Sequence, residues 1–274
     1  MLNLLLMLGG AFIAYGVLAR FFACNPEQRG FVGRDFADDV LYWFITALFF
    51  SGVGEAMLRW CAGTVFPGHA VAALGRIHAG FGWPSRLPLA VQIIAVLMVF
   101  DVIQYWVHRA FHDGALWPFH AIHHSATELD WTTAYRFHPV NYVIYVSGVT
   151  AFVRLIGFSD AVFLAIAPLN FVVSTLVHAN LNWTFGPFRY VVASPVFHRW
   201  HHVRDLRVRN RNFAPTFPVL DLMFGTFYMP KGELPADYGV DGVPVHFLPQ
   251  LIYPFAALAE RFGLARKSAV QPAA

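Results

Sequence analysis

The sequence predicts an all-α integral membrane protein with about four to five apolar helices that span the bilayer or re-enter it. Composition is the first reason, because the 274 residues are 57% hydrophobic and only 13% charged, whereas soluble domains carry about a quarter charged residues. The second reason is a series of apolar segments of bilayer length, and the third is a set of closely spaced histidines near the segment ends. We expect a single membrane domain, residues 1–274.

Five segments approach or reach the roughly 20 apolar residues that a spanning helix needs. The first has no charge before Arg20. A secretory signal peptide is its competing interpretation, although a basic start and a clear cleavage site are missing. The last two segments are short and joined by four residues, which predicts a helical hairpin that spans or re-enters the bilayer. The segments are Leu2–Phe22, Val40–Trp60, Leu89–Val107, Val140–Ile156 and Ala161–Val177.

The remaining chain is interpreted as connections and a cap. Cys61–Pro88 is rich in glycine and proline, which predicts a loop with one short surface helix. Gln250–Leu264 has helical apolar periodicity and is a candidate for a helix on the membrane surface. The tail from Ala265 onward is expected to be disordered.

Eight histidines fall into three groups with the spacing of one helical face. Residues three and four apart are neighbours on a helix surface. A lone histidine is more often structural than a metal ligand, but three groups at ligand spacing favour a metal site. A further histidine, His178, ends the last apolar segment. The groups are His108 and His112; His120, His123 and His124; and His198, His201 and His202.

The number of histidines predicts two metal ions. Neutral imidazole is the commonest metal ligand, and one ion takes about four to six ligands. Two adjacent histidines beside a third point in diverging directions, which suits two neighbouring metals. Imidazole suits Fe, Zn, Cu and Ni alike, so ligand type does not choose among them.

Topology by parity places all the histidine groups on one face of the membrane. If the first segment runs inward, the third and fifth also end inside. Several arginines between Arg189 and Arg211 lie on that side, which agrees with the expected excess of basic residues in cytoplasmic loops. Arg59, Arg76 and Arg86 lie on the opposite side and weaken the bias. We therefore expect a cytosolic, histidine-rich, metal-binding cap on a multi-pass membrane protein.

A carboxylate inside the third apolar segment is a further candidate for function. Asp101 lies where a charge is costly and is usually retained for function. Asp101, Tyr105, His108 and His112 share one helix face by their spacing. Asp101 and Tyr105 are therefore candidate catalytic residues that line a substrate channel or orient ligands. A purely structural hydrogen bond from Asp101 to a neighbouring helix is the alternative.

Other classes of site are excluded by residue type. Two distant cysteines, Cys24 and Cys61, cannot form an iron–sulfur cluster, a thiolate zinc site or a disulfide framework. The net charge of +3 is small and spread, so nucleic acid is not an expected partner. The glycines of Gly52-Val-Gly54 lie in an apolar segment and lack the third glycine of a dinucleotide fingerprint.

The residues from Asp101 to Met229 resemble the fatty acid hydroxylase/sterol desaturase superfamily of membrane di-iron enzymes. The resemblance rests on the three histidine groups, spaced HxxxH, HxxHH and HxxHH after apolar segments, and on several flanking motifs. It implies that residues 101–229 form the catalytic region. The flanking motifs are Asp101-x-x-x-Tyr105-x-x-His108-Arg109, Phe119-His-Ala-Ile-His-His-Ser125, Arg136-Phe-His138-Pro139, His178-Ala-Asn180, Asn212-Phe213 and Asp221-Leu-Met-Phe-Gly-Thr226.

Two departures from the family pattern leave the ligand number open. Some relatives carry a further HxxxH pair, where this chain has His178 and Asn182. Others begin the last group with two histidines, where this chain has Phe197 and His198. His138 is a candidate to complete the set, with a structural role as the alternative.

The resemblance implies two iron ions that activate O₂ for hydroxylation, or closely related desaturation, of a lipid. Electrons must then come from a separate ferredoxin, b-type cytochrome or reductase. The basic run from Arg199 to Arg211 is a candidate docking surface for this donor, and an ordinary solvated cytoplasmic face is its alternative. A membrane metal-binding, transport or sensing protein without oxygenase activity is the alternative from another functional class.

Overall fold

The computed structural model describes residues 2–28 and 32–264, and the regular structure in these ranges is helical. A single β-bridge, between Val203 and Tyr238, is the one extended pairing in the described part. The tail from Ala265 onward, for which we expected disorder, lies outside the described residues. Five long helices are α1 Leu2–Phe22, α2 Phe36–Val65, α4 Leu89–Phe111, α6 Pro139–Ile156 and α7 Asp160–His178. The shorter helices are α3 Ala70–Ala79, α5 Trp117–His120, α8 Pro195–His201, α9 Leu206–Arg209, α10 Val219–Met223 and α11 Phe247–Arg261.

Four of the long helices, α2, α4, α6 and α7, are long and apolar enough to cross a membrane. The first helix, α1, contributes a shorter apolar stretch, Leu6–Phe22. The predicted all-α membrane architecture with four to five apolar helices is therefore confirmed. Hydrophobic side chains of α4, α6 and α7 form a shared core around Val96, Val153 and Val162. This core fixes the three helices that carry the site.

The hairpin of α6 and α7 turns at Gly157, as the short linker predicted. Gly157 has φ 117°, a conformation that disfavours side chains. A Cβ at this position lies 2.2 Å from the carbonyl oxygen of Phe81, and the Gly157 carbonyl accepts a hydrogen bond from the Phe81 N–H at 2.9 Å. The turn therefore requires glycine. Within α6, Val143–Gly148 is π-helical, a local widening that is frequent near functional sites.

The second helix is longer than predicted at both ends. Our prediction, Val40–Trp60, stopped short of two carboxylates, but α2 includes Asp38 and Asp39 in its first turn. Asp39 is fully buried and its Oδ1 accepts a hydrogen bond from Nε of Arg136 at 2.6 Å. This ion pair lets α2 continue beyond the apolar stretch. At the other end α2 runs to Val65, so the predicted loop is shorter and contains α3.

The cap, which comprises residues 112–138 and 179–246, lies at the end of the bundle where α4 and α7 terminate. His108 lies in the last turn of α4 and His178 is the last residue of α7. The C-terminal end of α1 contacts the cap, because the Asn182 N–H donates a hydrogen bond to the Phe22 carbonyl at 2.8 Å. The C-terminal helix α11 exposes apolar side chains such as Ile252 and Phe255. All histidine groups therefore meet at one end of the bundle, as parity predicted.

Candidate metal centre

Nine buried histidines converge at the junction of bundle and cap. They form two groups, and the candidate ligand atoms within each group lie within 4.8 Å of one another. We call them the first and second histidine groups. The first group contains His108, His112, His120, His124 and His201, and the second contains His123, His178, His198 and His202.

Adjacent histidines are divided between the two groups. His123 belongs to the second group and His124 to the first, and their ring planes are 89° apart. His201 belongs to the first group and His202 to the second, with ring planes 87° apart. Consecutive residues of a helical turn point about 100° apart. The structure therefore gives the arrangement expected of adjacent histidines that serve two neighbouring centres.

Local structure differs among the three sequence groups. The first sequence group lies on α4 and on the residue that ends it, His112. The third lies on α8 and on the residue that ends it, His202. Each of these two groups therefore follows one helical turn, as predicted. The middle group does not lie on a single helix. His120 ends α5, whereas His123 and His124 begin a separate 3₁₀ turn. The short helix α5 has a proline in its first turn. The 3₁₀ turn that follows α5 directs the buried side chains of His123 and His124 inward.

Hydrogen bonds at Nδ1 fix which nitrogen of each histidine is free to bind a metal. A carbonyl oxygen can only accept, so an Nδ1 bonded to it carries the proton and Nε2 keeps a lone pair. Five histidines follow this rule, and such outer partners orient metal-ligating histidines. The Nδ1–H groups donate from His108 to the Phe213 carbonyl (2.8 Å), His112 to Asn210 Oδ1 (3.2 Å), His120 to Asn141 Oδ1 (2.8 Å), His178 to the Ser174 carbonyl (2.6 Å) and His201 to the Arg211 carbonyl (2.7 Å).

The free nitrogens then face one another at distances that a cation explains. Nε2 of His108 lies 3.0 Å from Nε2 of His120, although both carry lone pairs. In the second group, Nε2 of His178 lies 3.0 Å from that of His198 and 3.2 Å from that of His123. Two nitrogens bound at about 2.1 Å and at right angles to each other are about 3.0 Å apart. Both groups therefore fit a bound metal ion.

Burial keeps these histidines neutral. Desolvation lowers the pKa of the cap histidines well below the ordinary value of 6.5, and nearby histidines lower it further. Neutral imidazole is the form that binds metal. Among the described residues, buried nitrogens such as Nε2 of His112 and of His201 find no hydrogen-bond partner. The lowered pKa values belong to His112, His120, His123, His124, His198, His201 and His202.

Two further candidate ligands lie apart from both groups. His138 caps α6: its Nδ1 accepts from the Val140 N–H at 3.1 Å, and its Nε2–H donates to the Leu251 carbonyl at 3.1 Å. Both ring nitrogens are thus engaged. Asn182 is exposed, whereas all nine grouped histidines are buried. The structure brings neither residue to the histidines.

Asp101 and Tyr105 hold the cap rather than face the histidines. The Asp101 carboxylate accepts the N–H groups of Thr216 and Phe217 at 2.8 and 2.9 Å. The Tyr105 hydroxyl lies 2.8 Å from Oγ1 of Thr226. Both therefore anchor the segment that supplies the Phe213 carbonyl to His108. The orienting role and the purely structural hydrogen bond considered from the sequence both stay predictions.

A cavity of about 310 Å³ extends from the histidines into the bundle. Histidines of both groups line its inner end, among them His108, His120, His123, His178 and His198. Apolar and aromatic residues of α4, α6 and α7 line most of the rest, including Phe100, Tyr145 and Ile166. A molecule in this cavity can thus contact histidines of both groups at once.

Comparison with known proteins places the chain in a family. The sequence model described as fatty acid hydroxylase matches residues 93–226. Ornithine lipid hydroxylase OlsE of Rhizobium tropici is 30% identical over 248 residues, which cover 88% of this chain and 72% of the relative. The chain belongs to the fatty acid hydroxylase family.

Further relatives of the fatty acid hydroxylase family are more distant. Alkylglycerol monooxygenase of Caenorhabditis elegans is 28% identical over 218 residues, covering 72% of this chain and 42% of that relative. Methylsterol monooxygenase 2-2 of Arabidopsis thaliana is 26% identical over 155 residues, covering 55% of this chain and 57% of that relative. No solved structure matches. Membership confirms the predicted superfamily and the predicted class of enzyme, an O₂-dependent lipid oxidoreductase.

Several residues that orient this family member's histidines were missed from the sequence. Asn141 and Asn210 are isolated amides whose oxygens accept from His120 and His112. Asp221 was noted only as part of a motif, but its two oxygens accept the N–H groups of Phe213 and Ala214 at 2.8 Å. Spacing reveals contacts within one helix, and these contacts join distant segments. The proximity of Asp221 to the cap's Asn212-Phe213 motif was the one usable signal.

Part of the predicted docking surface for a redox partner is used inside the protein, whereas Arg207 of the same basic run is exposed. Arg199 is fully buried and donates to the carbonyls of Leu129 and His178 at 2.7 and 3.0 Å. Arg204 pairs with Asp237 and Asp241. Because it is buried, Arg199 cannot contact a partner protein. Its guanidinium instead holds the end of α7 through the His178 carbonyl.

Proposed function

We propose that this protein is a di-iron hydroxylase that inserts one oxygen atom of O₂ into a C–H bond of a membrane lipid. The observation that carries the proposal is the pair of buried histidine groups whose lone pairs converge at 3.0–3.2 Å beside the cavity. In the balanced reaction, the lipid C–H, O₂, two electrons and two protons give the lipid alcohol and water. Iron, when bound, supplies the activation of O₂.

The histidines of each group are the proposed ligands of one ion each. The donor set is imidazole alone, without thiolate, and suits iron among other metals. His138 is left out of the proposed ligand set because both of its ring nitrogens bond backbone groups, and Asn182 because its side chain is exposed. Asp101 and Tyr105 are assigned a positioning role, since their polar atoms hold the cap. The protein's own part is to hold the ligands neutral, seat the lipid and keep water from the centre.

The catalytic region is proposed as residues 101–229 of a single membrane domain, with the metal centre on the cytoplasmic face. The cap carries exposed arginines such as Arg207, whereas Arg59 and Arg76 lie at the other end of the bundle. This distribution follows the positive-inside bias. Electrons are proposed to come from a separate ferredoxin, b-type cytochrome or reductase, because Gly52 and Gly54 lie inside α2 and form no nucleotide loop.

The substrate class follows from the relatives and the cavity together. The relatives named above act, by their names, on ornithine lipid, alkylglycerol and methylsterol. These molecules share an apolar body and a polar group, and the cavity is lined both by apolar residues of the long helices and by the histidines. We propose a lipid with a polar linkage or headgroup as substrate. Desaturation uses the same ligands and differs in product mass.

Metal analysis combined with lipidomics tests the proposal. Purified protein is expected to hold about two iron ions per chain, and cells that express it are expected to gain a lipid heavier by one oxygen. His201→Ala is expected to lose iron and all turnover, whereas the exposed His246→Ala keeps both. A loss of two hydrogens instead identifies a desaturase. An unchanged lipid profile with full iron content contradicts the proposed activity.

A further inference from the structure

The cavity contains uncharged polar side chains within the membrane-spanning helices. Gln104 of α4, Thr150 of α6 and Asn170 of α7 line it from three directions. We call these three residues the polar collar. Polar groups at membrane depth are costly and are usually kept for function. The collar therefore requires a reason beyond packing.

The collar residues have no hydrogen-bond partner for their side chains among the described residues. This contrasts with other polar residues of the same helices. Gln92 donates to the Leu87 carbonyl at 2.8 Å, and the Thr175 hydroxyl donates to the Phe171 carbonyl at 2.8 Å. Free amide and hydroxyl groups that face a cavity are available to a molecule inside it.

The collar lies close to the metal centre along the helices. Gln104 precedes His108 by four residues, which is about 6 Å of helix rise. Asn170 precedes His178 by eight residues, or about 12 Å. Along their own helices, Gln104 and Asn170 therefore lie about one and two turns before a grouped histidine.

The charge of the residues that line the cavity indicates which chemical group the collar can bind. No acidic side chain is among the residues that line the described cavity. Apart from histidine, its one cationic lining residue is Arg154, whose guanidinium lies 3.0 Å from Asp160 at the hairpin end of the bundle. The collar itself is neutral and offers amide N–H and hydroxyl donors. A neutral carbonyl is the complementary ligand.

We infer that Gln104, Thr150 and Asn170 bind the amide or ester carbonyl of the lipid substrate and thereby set which carbon reaches the metal centre. This inference rests on the proposed function and names its substrate class. With the carbonyl held at the collar, the carbon presented to the histidines lies near the linkage and not at the end of a long chain.

Three near-isosteric variants remove the collar's polar groups: Gln104→Met, Thr150→Val and Asn170→Leu. Ser147→Ala is the matched control, because Ser147 lies in α6 and does not line the cavity. The probes are an N-acylated amino-acid lipid, a diacyl phospholipid and an unbranched alkane of equal chain length. Binding to iron-loaded protein in nanodiscs is measured first, and the position of the inserted oxygen is then determined by tandem mass spectrometry.

We expect each collar variant to bind the carbonyl-containing lipid about three- to tenfold more weakly, with alkane binding and iron content unchanged. Ser147→Ala is expected to bind both as the wild type does. Stronger binding of the amide or of the ester probe identifies the linkage. Unchanged binding in all three variants, or oxygen placed at the chain end, overturns the inference while leaving hydroxylation intact. Wild-type binding that depends on the collar, without any turnover, overturns the proposed function alone.

Discussion

The hydrogen bond from His120 to Asn141 allows a direct test of how the first histidine group is built. Asn141 is fully buried, and its Oδ1 accepts the Nδ1–H of His120 at 2.8 Å. In Asn141→Leu this acceptor is replaced by an apolar group of similar size. The histidine remains, but its ring loses the contact that fixes the proton on Nδ1 and aims Nε2 at His108.

The expected effect is a weaker first centre with an intact ligand set. A buried donor left without a partner costs about 1–3 kcal/mol. Loss of an outer partner of a ligating histidine lowers metal affinity about 10–100-fold, which is the same range. Asn141→Asp keeps an acceptor and adds charge, so its affinity is expected to equal or exceed that of the wild type.

The assay is a chelator titration of iron-loaded protein, with bound iron counted per chain. Asn141→Leu is expected to release one of the two ions at about 10–100-fold lower chelator concentration, while Asn141→Asp does not. Thermal unfolding of the metal-free proteins controls for a general loss of stability. If Asn141→Leu holds both ions as tightly as Asn141→Asp, His120 is not an oriented ligand and the assignment of the first group is refuted.

Three further predictions concern stability, measured by unfolding of the protein in detergent or nanodiscs. Burial raises the pKa of Asp130 from 3.8 to about 6, so between these pH values the folded state binds a proton that the unfolded state lacks. Proton binding therefore contributes about 3 kcal/mol to the free energy of unfolding at pH 4, and this contribution is lost as the pH rises through 6. Asp130→Asn should remove this decrease of stability with pH. Arg136→Leu leaves the buried Asp39 carboxylate without its ion-pair partner and is expected to lower the free energy of unfolding by about 3–5 kcal/mol. The double variant with Asp39→Leu should recover much of this stability, and equal losses in the single and double variants would contradict a buried ion pair. Gly157→Ala should destabilise the protein far more than Gly114→Ala. Both glycines have positive φ, but of the two only Gly157 has a backbone oxygen where a Cβ would lie. Similar losses of stability in both variants would show that the positive φ alone causes the loss.

Sequence reasoning predicted the helices and the histidines because both depend on local periodicity. Apolar length located α4 and the α6–α7 hairpin, and spacings of four and three residues placed Asp101, Tyr105 and His108 on one buried face of α4. The extension of α2 escaped prediction because Asp39 looks like a helix-ending charge. Its partner, Arg136, is far away in the sequence, so only tertiary contact makes the carboxylate an interior residue.

The ligand assignments show the same limit at finer scale. His138 has ligand chemistry and a motif around it, but its position at the start of α6 turns its nitrogens toward backbone groups of Val140 and Leu251. His178 looked incomplete because Asn182 follows at the spacing of a missing histidine. In three dimensions its neighbours are His123, His198 and His202. Sequence separation says nothing of these contacts, which the cap creates.

The division of His123 from His124, and of His201 from His202, has a consequence for assembly of the enzyme. One turn of backbone carries histidines of both groups, so a shift that opens one group also displaces a member of the other. With one ion in each group, as proposed, loss of one ion is therefore expected to weaken the binding of the other.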